Sequence, residues 1–306
     1  MFVTKYTKQF LIATVAIFAI SIGLVVSLGL PLGIDFTGGA LTEVSYDVQP
    51  EKSTVDASLS ELSLGGYSLR ASVDETGKDG FILRSRDLSE PERLTVENTL
   101  VNAGEGGAIT RYTSIGPVIG QELKDKAGWA IGAVVLIIVL YVAFAFRSVP
   151  EPVSGWGYGF ITILALIHDI LVPAAVMSVL GHFMGAEVDV LFIMAILAVL
   201  GYSVNDTIVV FDRIRENLFS NKDKSRHEPF GVLVGKSVSQ SMARSINTSL
   251  TTFIALFALY LFGGDVTKNF ALVLMAGVVA GAYSSICIAS PLLIKVGEWQ
   301  KSKGKK

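Results

Sequence analysis

Apolar residues gather into six long blocks along this chain, separated by stretches that read quite differently. Crossing the roughly 30 Å hydrocarbon core of a bilayer takes about 20 mostly apolar residues in a helix. Segments 10–30, 127–146, 157–180, 190–210, 246–262 and 270–294 meet that requirement, and each is predicted to be a transmembrane helix. The first follows Lys5 and Lys8, as a signal peptide would. Its apolar run exceeds the roughly 7–15 residues of a signal core and no Ala-x-Ala cleavage pattern follows, so a retained anchor is expected.

Between the first two blocks, residues 32–126 alternate and cap like a small folded domain. Ala40, Thr42, Val44, Tyr46 and Val48 alternate with Leu41, Glu43, Ser45 and Asp47, the period of a strand. Ser53 to Asp56 reads as a helix start, with Val55, Leu59 and Leu62 on one face. Leu69, Ala71 and Val73 alternate again, and Glu75 to Gly80 reads as a turn into a strand over 81–85. Ser89 to Glu92 opens a second helix that offers Leu94, Leu100 and Val101 to a core, and a strand over 108–115 closes the domain. The order βαββαβ is the ferredoxin-like split unit, and a segment of this length can hold a modest core. It contains no histidine, cysteine or nucleophile–base arrangement, which points to a binding or docking module.

Composition agrees with a membrane protein: 51% hydrophobic and 17% charged residues, with a mean hydropathy of +0.56. Soluble domains carry about 25% charged residues, so a water-soluble enzyme is excluded. Cys287 is the single cysteine, and His168, His182 and His227 have no metal-ligand spacing; no metal, disulfide or cofactor is expected. Gly235-Lys236-Ser237 lacks the upstream glycine of a phosphate-binding loop.

The net charge of −2 conceals a polarised distribution of Lys and Arg. Lys5, Lys8, Arg147, the loop residues Arg213, Arg215, Lys222, Lys224, Arg226, Lys236 and Arg244, and the tail residues Lys295, Lys301, Lys303, Lys305 and Lys306 fall on one side. Segment 181–189 has none and 263–269 has only Lys268. By the positive-inside rule both termini are cytoplasmic and the domain is extracytoplasmic. The expected chain is a polytopic α-helical membrane protein with six transmembrane helices and one α+β ferredoxin-like extracytoplasmic domain. Its segments are an N-terminal tail with the first helix (1–31), the βαββαβ domain (32–126), helices two to four (127–211), a basic amphipathic loop (212–245), helices five and six (246–294) and a basic tail (295–306). The loop is expected to lie along the interface with Phe219, Phe230, Leu233 and Val234 toward lipid.

Polar residues inside the blocks carry the functional signal, because an Asp or Arg at a helix centre costs about 2.5–3.5 kcal/mol on insertion scales. The third block holds His168 and Asp169, whose side chains leave the helix about 100° apart and are not expected to pair simply. Pro173 cannot donate to the Asp169 carbonyl, which marks a place for a kink. The fourth holds Tyr202, Ser203, Asn205, Asp206 and Thr207, with Asp212 and Arg213 as interfacial anchors. In the fifth, Arg244, Asn247, Thr248, Thr251 and Thr252 share one face as a polar stripe. Serines and threonines taken singly serve as helix-to-helix glue, each worth about 1 kcal/mol. The ionisable residues point instead to a proton relay of Asp206, Arg244, His168 and Asp169. Burial favours the neutral carboxylic acid at Asp206, an approaching Arg244 favours the carboxylate, and a helix movement between the two would load and release a proton. The same carboxylates suit a sodium ion. Gly277 and Gly281, with Ala276 and Ala280, suit close helix packing; the glycines at 155, 157 and 159 name no function.

Several of these segments together resemble the SecD/SecF family of protein-export membrane proteins. The segment Gly33-Ile34-Asp35-Phe36-Thr37-Gly38-Gly39 is similar to its glycine-rich motif, and residues 199–217 match its fourth-span motif nearly residue for residue. Residues 115–123, the His168-Asp169 pair, 244–252 and 260–264 also match, in the family order. The length of the extramembrane segment and the Ile-Asp-Phe version of the first motif favour the SecF type. The resemblance implies membership of the resistance–nodulation–division superfamily and a six-span SecD partner. It implies association with the SecYEG channel and YajC, and use of the proton-motive force to pull a translocating polypeptide outward. It also implicates Asp206 and Arg244 in proton transport. Two other readings are a half-transporter for a small hydrophobic substrate and a passive scaffold of the translocation channel.

Overall fold

The computed structural model describes residues 2–74, 76–222 and 228–303. Expectations resting on Glu75, Lys224, Arg226, His227, Lys305 and Lys306 lie outside these residues, as does the side chain of Lys303. Six helical segments are long and apolar enough to cross a membrane. A short α1 (Phe2–Lys5) leads into α2 (Thr7–Leu28), the first span. Helices α6 (Pro117–Ala145), α7 (Gly155–Met184), α8 (Val190–Lys222) and α9 (Phe230–Phe262) follow after the inserted domain. The sixth span is composite: α10 (Asp265–Ser284), a π-helical turn (Ser285–Ala289) and α11 (Ser290–Lys303).

These helices run past the lengths read from hydropathy. At 33 residues each, α8 and α9 measure about 50 Å, well beyond a bilayer core. The excess corrects one expectation. Among the described residues of 212–245 there is no separate interfacial helix; 212–222 is the end of α8 and 230–245 the start of α9. Leu233 and Val234 are buried in the bundle rather than turned to lipid, Phe230 is half-buried against it, and Phe219 is exposed. The reason is polar as well as apolar: Asn217 donates to Ser237 Oγ and Gln240 Oε1, both at 2.8 Å, and Asn221 bonds both backbone groups of Glu228. That pairing holds the two helices side by side where an interfacial helix would have to peel away. Asp212 and Arg213 sit in exposed ion pairs, Arg215 to Asp212 at 2.7 Å and Arg213 to Glu216 at 2.5 Å.

Between α2 and α6, a short helix α3 (Ile34–Thr37) precedes the domain of β1 (Gly39–Ser45), α4 (Lys52–Ser60), β2 (Ser68–Val73), β3 (Asp79–Ser85), α5 (Glu90–Asn102) and β4 (Ala108–Ile115). Its four strands are antiparallel in the order β2-β3-β1-β4, the ferredoxin-like arrangement expected. Val44, Tyr46, Val55, Leu59, Phe81, Leu83 and Leu100 fill the core between the sheet and its two helices. The Tyr46 hydroxyl donates to the Leu100 carbonyl at 2.7 Å, and burial pushes the phenol up to about 12. Glu92 accepts the Ser89 N–H and hydroxyl at 2.9 and 2.7 Å, a capping interaction; the Arg86 guanidinium, and after it this cap, hold the carboxyl down at about 2.

Two details differ from the sequence reading. Helix α4 begins at Lys52 with Glu51 as its cap residue, two positions ahead of Ser53. On α5 the buried residues are Val96 and Leu100, one turn apart, whereas Leu94 is exposed. Six residues back from Leu100 is about 240° around the helix, which turns Leu94 away from the core.

Leu83 is 1% exposed at the centre of the sheet. Leu83→Ala is expected to cost about 2–5 kcal/mol through lost burial and a cavity, while Leu94→Ala stays within about 0.5 kcal/mol. Loss of β-sheet signal on heating the purified protein distinguishes them.

Candidate functional site

Three inner spans meet around two carboxylates. Asp169 on α7 is wholly buried and Asp206 on α8 is 7% exposed. A buried carboxylate needs hydrogen-bond donors, since leaving one without them costs far more than the bonds return. Asp169 Oδ2 accepts from Ser203 of α8 and, at 2.8 Å, from Ser284 of α10. Its Oδ1 lies 2.9 Å from His168 Nδ1. Asp206 Oδ2 accepts from Ser285, the residue after Ser284. Adjacent serines on the sixth span therefore serve one carboxylate each.

The His168–Asp169 contact corrects the expectation that these neighbours cannot pair. The 100° offset applies to the Cα–Cβ bonds; both side chains are packed so tightly that their tips turn together, at 2% and 0% exposure. The imidazole is held by Phe18, with ring centroids 5.5 Å apart, and by Tyr283 at 5.7 Å. Tyr283 in turn lies 3.3 Å from the Thr14 hydroxyl, which joins the first span to the network.

Close helix packing brings the serines within reach. A side chain at Gly277 would collide with Val199, and a Cβ at Gly281 would stand 3.0 Å from Ser203 Cβ. The small-residue spacing on α10 thus lets it lie directly against α8, and one turn later its serines meet the carboxylates. At that point the helix widens into the π turn Ser285–Ala289, and Ser290 Oγ donates to the Ser285 carbonyl at 3.2 Å. Such single π turns are frequent at functional sites.

The polar stripe of α9 lies elsewhere. Arg244, Asn247, Thr248 and Thr251 are exposed and Thr252 is half-buried. Ser237, Ser241, Ser245 and Ser249 form the inward face instead. The Thr248, Thr251 and Thr252 hydroxyls donate back to Arg244, Asn247 and Thr248 carbonyls on their own helix at 2.9–3.0 Å. Among the described residues no ion pair joins Arg244 to Asp206. Tyr202 donates to Ser249 of α9 at 3.3 Å, and Asn205 is exposed on the same side as Gly201. The structure therefore assembles Asp206, Asp169 and His168 at one buried site and leaves Arg244, Asn247, Thr248 and Thr251 on an outer polar face of α9, with Asn205 exposed on α8.

The glycine-rich segment forms a third group. Asp35 Oδ2 accepts the Val190 N–H at 2.9 Å, at the start of α8. Gly33 donates to the Val188 carbonyl at 2.8 Å; Gly38 and Gly39 have φ of 72° and 129°, open to glycine but strained for other residues. Nearby, the uncovered face of the sheet and the ends of α7–α10 enclose a cavity of about 740 Å³, with Glu43, Arg84 and Arg111 on one wall and Glu187, Asp189 and Lys268 on the other. Arg84 pairs with Glu187 across it. Burial, and then the neighbouring Arg70, push the Arg84 guanidinium down to about 10, and burial raises Asp189 with a contribution from Asp35.

Sequence reasoning did not single out Ser284 and Ser285. Their signal was available: the pair stands three and four residues after Gly281, on the face that the glycines mark for close packing. Arg84 and Glu187 carried no comparable mark.

Known proteins match the whole chain. The family model for the C-terminal region of SecD/SecF protein-export membrane proteins matches residues 95–299, and the SecD/SecF GG-motif model matches 23–49. The chain is 38% identical to a SecF protein translocase subunit of Thermobaculum terrenum, over 87% of this chain and 84% of that one. It is 37% identical to the SecF of Anaerolinea thermophila, over 96% and 94%. The crystal structure of SecDF from Thermus thermophilus, described as a translocon-associated membrane protein, superposes with a TM-score of 0.81 at 32% identity, covering 97% of this chain. This chain spans 38% of that longer one. A SecDF structure in a super-membrane-facing form superposes with a TM-score of 0.66.

Gly281→Leu is expected to push α10 off Ser203, break the serine–carboxylate bonds and destabilise the bundle by about 1–3 kcal/mol. Gly128→Leu, where a Cβ meets nothing within 4 Å, is the control. Thermal unfolding of both purified variants measures the difference.

Proposed function

The chain belongs to the SecD/SecF family of protein-export membrane proteins, and from that premise we propose that it works with a SecD-type partner as a proton-driven subunit of protein export. It uses the proton-motive force to promote late steps of translocation across the plasma membrane, alongside the SecYEG channel and YajC. The observation that carries this reading is the pair of buried carboxylates, Asp169 and Asp206, held by hydroxyls of a π turn. A passive scaffold would have no use for two ionisable groups at that depth, since apolar residues would fill the space at less cost.

The outer polar face supplies the second half of the mechanism. Arg244, Asn247, Thr248 and Thr251 are exposed on the membrane-spanning α9, and Asn205 is exposed on α8. Charged and polar groups inside a bilayer face a protein partner or a water-filled path. A SecD-type subunit covering this face would enclose Arg244 and set it near the carboxylates. Asp206 would then alternate between two states. With its proton it rests against Ser285; without it the carboxylate draws on Arg244. Each proton crossing a potential of 100 mV releases about 2.3 kcal/mol, so a few protons can drive a mechanical step. The surplus of Lys and Arg on the side opposite the domain supports cytoplasmic termini. The domain then stands where the exported polypeptide emerges.

Asp206→Asn keeps an oxygen acceptor for Ser285 but cannot exchange a proton. Vesicles carrying this variant are expected to retain the SecD-type partner on co-purification and to lose gradient-dependent stimulation of secretory-protein translocation. Stimulation at the wild-type level would contradict the proton reading.

A further inference from the structure

The glycine-rich segment after the first span takes no part in the buried network, yet it is fastened on every side. Leu32 pairs with Val188 in a short parallel bridge: Val188 N–H donates to the Pro31 carbonyl and Gly33 N–H to the Val188 carbonyl, both at 2.8 Å. Phe36 is buried in the core of the bundle, not in that of the domain. At Gly38 an added Cβ would stand 2.7 Å from Pro117 Cα, and one on Gly120 would stand 2.8 Å from Gly38 N. Gly39 opens β1 and pairs with Ile115. Span one, α6, the α7–α8 loop and the sheet therefore converge on seven residues.

Within this joint, α8 has two acidic caps. Asp189 is local: its Oδ1 accepts the Phe192 N–H at 2.8 Å, as an ordinary cap residue does. Asp35 is remote, 155 residues away in sequence, and accepts the Val190 N–H. One local cap is enough to end a helix. A second carboxylate brought from another segment to the same terminus, beside the first, does something different. It ties the helix to whatever bears it.

We propose that Asp35 is a positioning residue that fastens the start of α8 to the extramembrane domain, so that displacement of α8 on proton exchange at Asp206 is delivered to the sheet. Val190 and Asp206 lie 16 residues apart on one uninterrupted helix, about 24 Å. A continuous helix moves as a unit over that span. Its motion passes through the Val190–Asp35 bond into α3, and through Gly38 and Gly39 into β1. Without the bond, the tie to this segment is left to the Val188 bridge in the loop, outside the helix, and Asp189 between them takes up the movement. This inference rests on the proton-driven reading above.

The test uses the complex with the SecD-type partner in nanodiscs, and the same complex in vesicles. Hydrogen exchange is compared with and without Asp206→Asn, which mimics the protonated state, in four backgrounds: wild type, Asp35→Ala, Asp35→Asn and Val190→Pro. The proline removes the bonded N–H at the first position of the helix, where proline is well tolerated, and leaves both carboxylates in place. In wild type, Asp206→Asn is expected to change exchange in α8 and in β1. In Asp35→Ala and Val190→Pro the change persists in α8 and vanishes in β1, and gradient-dependent translocation falls at least tenfold with the complex still assembled. Asp35→Asn, which keeps the acceptor, restores both. If Asp35→Ala and Val190→Pro leave the β1 response and translocation intact while Asp206→Asn abolishes stimulation, this inference is overturned and the proton reading stands. If Asp206→Asn itself leaves stimulation at the wild-type level, both fall together.

Discussion

Two carboxylates buried in a membrane-crossing bundle set the terms for everything packed around them. Asp169 and Asp206 each require donors close at hand, and hydroxyls on α8 and the sixth span provide them. Those hydroxyls arrive because Gly277 and Gly281 let α10 settle against Val199 and Ser203. Small residues, serine pair and π turn are consecutive on one helix, so a single sequence segment solves the packing problem and the hydrogen-bonding problem together. Satisfied networks of this kind specify one arrangement sharply, and a partly satisfied one is costly. On the proposed proton-driven reading, a change in the proton count at either carboxylate would change which helix arrangement is preferred.

The bundle has an inside and a flank. Half or more of the most apolar stretch is buried in α7, α8 and the sixth span, against 11% in α2, α6 and α9. Exposure along the apolar stretches of α2 and α6 is apolar, as lipid demands; Ile12, Val15, Ile137 and Phe144 all face outward. On α9 it includes Arg244 and three neighbouring polar residues. That asymmetry is what a subunit built to be completed by a related one would present. The domain is joined to the inner spans at a compact place, where the glycines around Asp35 permit backbone contacts that any side chain would obstruct, and by the Arg84–Glu187 pair.

Much of this was readable before any coordinates. The number of spans and the βαββαβ order follow from periodicity, because a bilayer and a half-buried sheet each impose a strict pattern on side-chain polarity. The choice of Asp169, His168 and Asp206 followed from the cost of burying charge. What escaped reading depended on angles and partners. The polar stripe of α9 was placed on one face, but which way a face points depends on its neighbours; Ser237, Ser241, Ser245 and Ser249 took the inward side because small side chains, two of them bonded to their own helix, pack more closely than Arg244 could. Segment 212–245 looked amphipathic because of its apolar residues, but Phe230, Leu233 and Val234 meet the bundle rather than lipid, and Phe219 alone of the four is exposed. Ser284 and Ser285 are too common a residue type to stand out singly; only their position after Gly281 marks them.

The most direct measurement of the central claim is the infrared spectrum of the protonated carboxyl group, recorded as pH is varied on the complex in vesicles, for wild type, Asp206→Asn and Ser285→Ala. The account requires a protonated-carboxyl band that is absent in Asp206→Asn and displaced in frequency by Ser285→Ala, because the serine hydroxyl bonds that carboxyl group. A band unchanged by both substitutions would place the exchangeable proton elsewhere and reduce the buried network to a packing device.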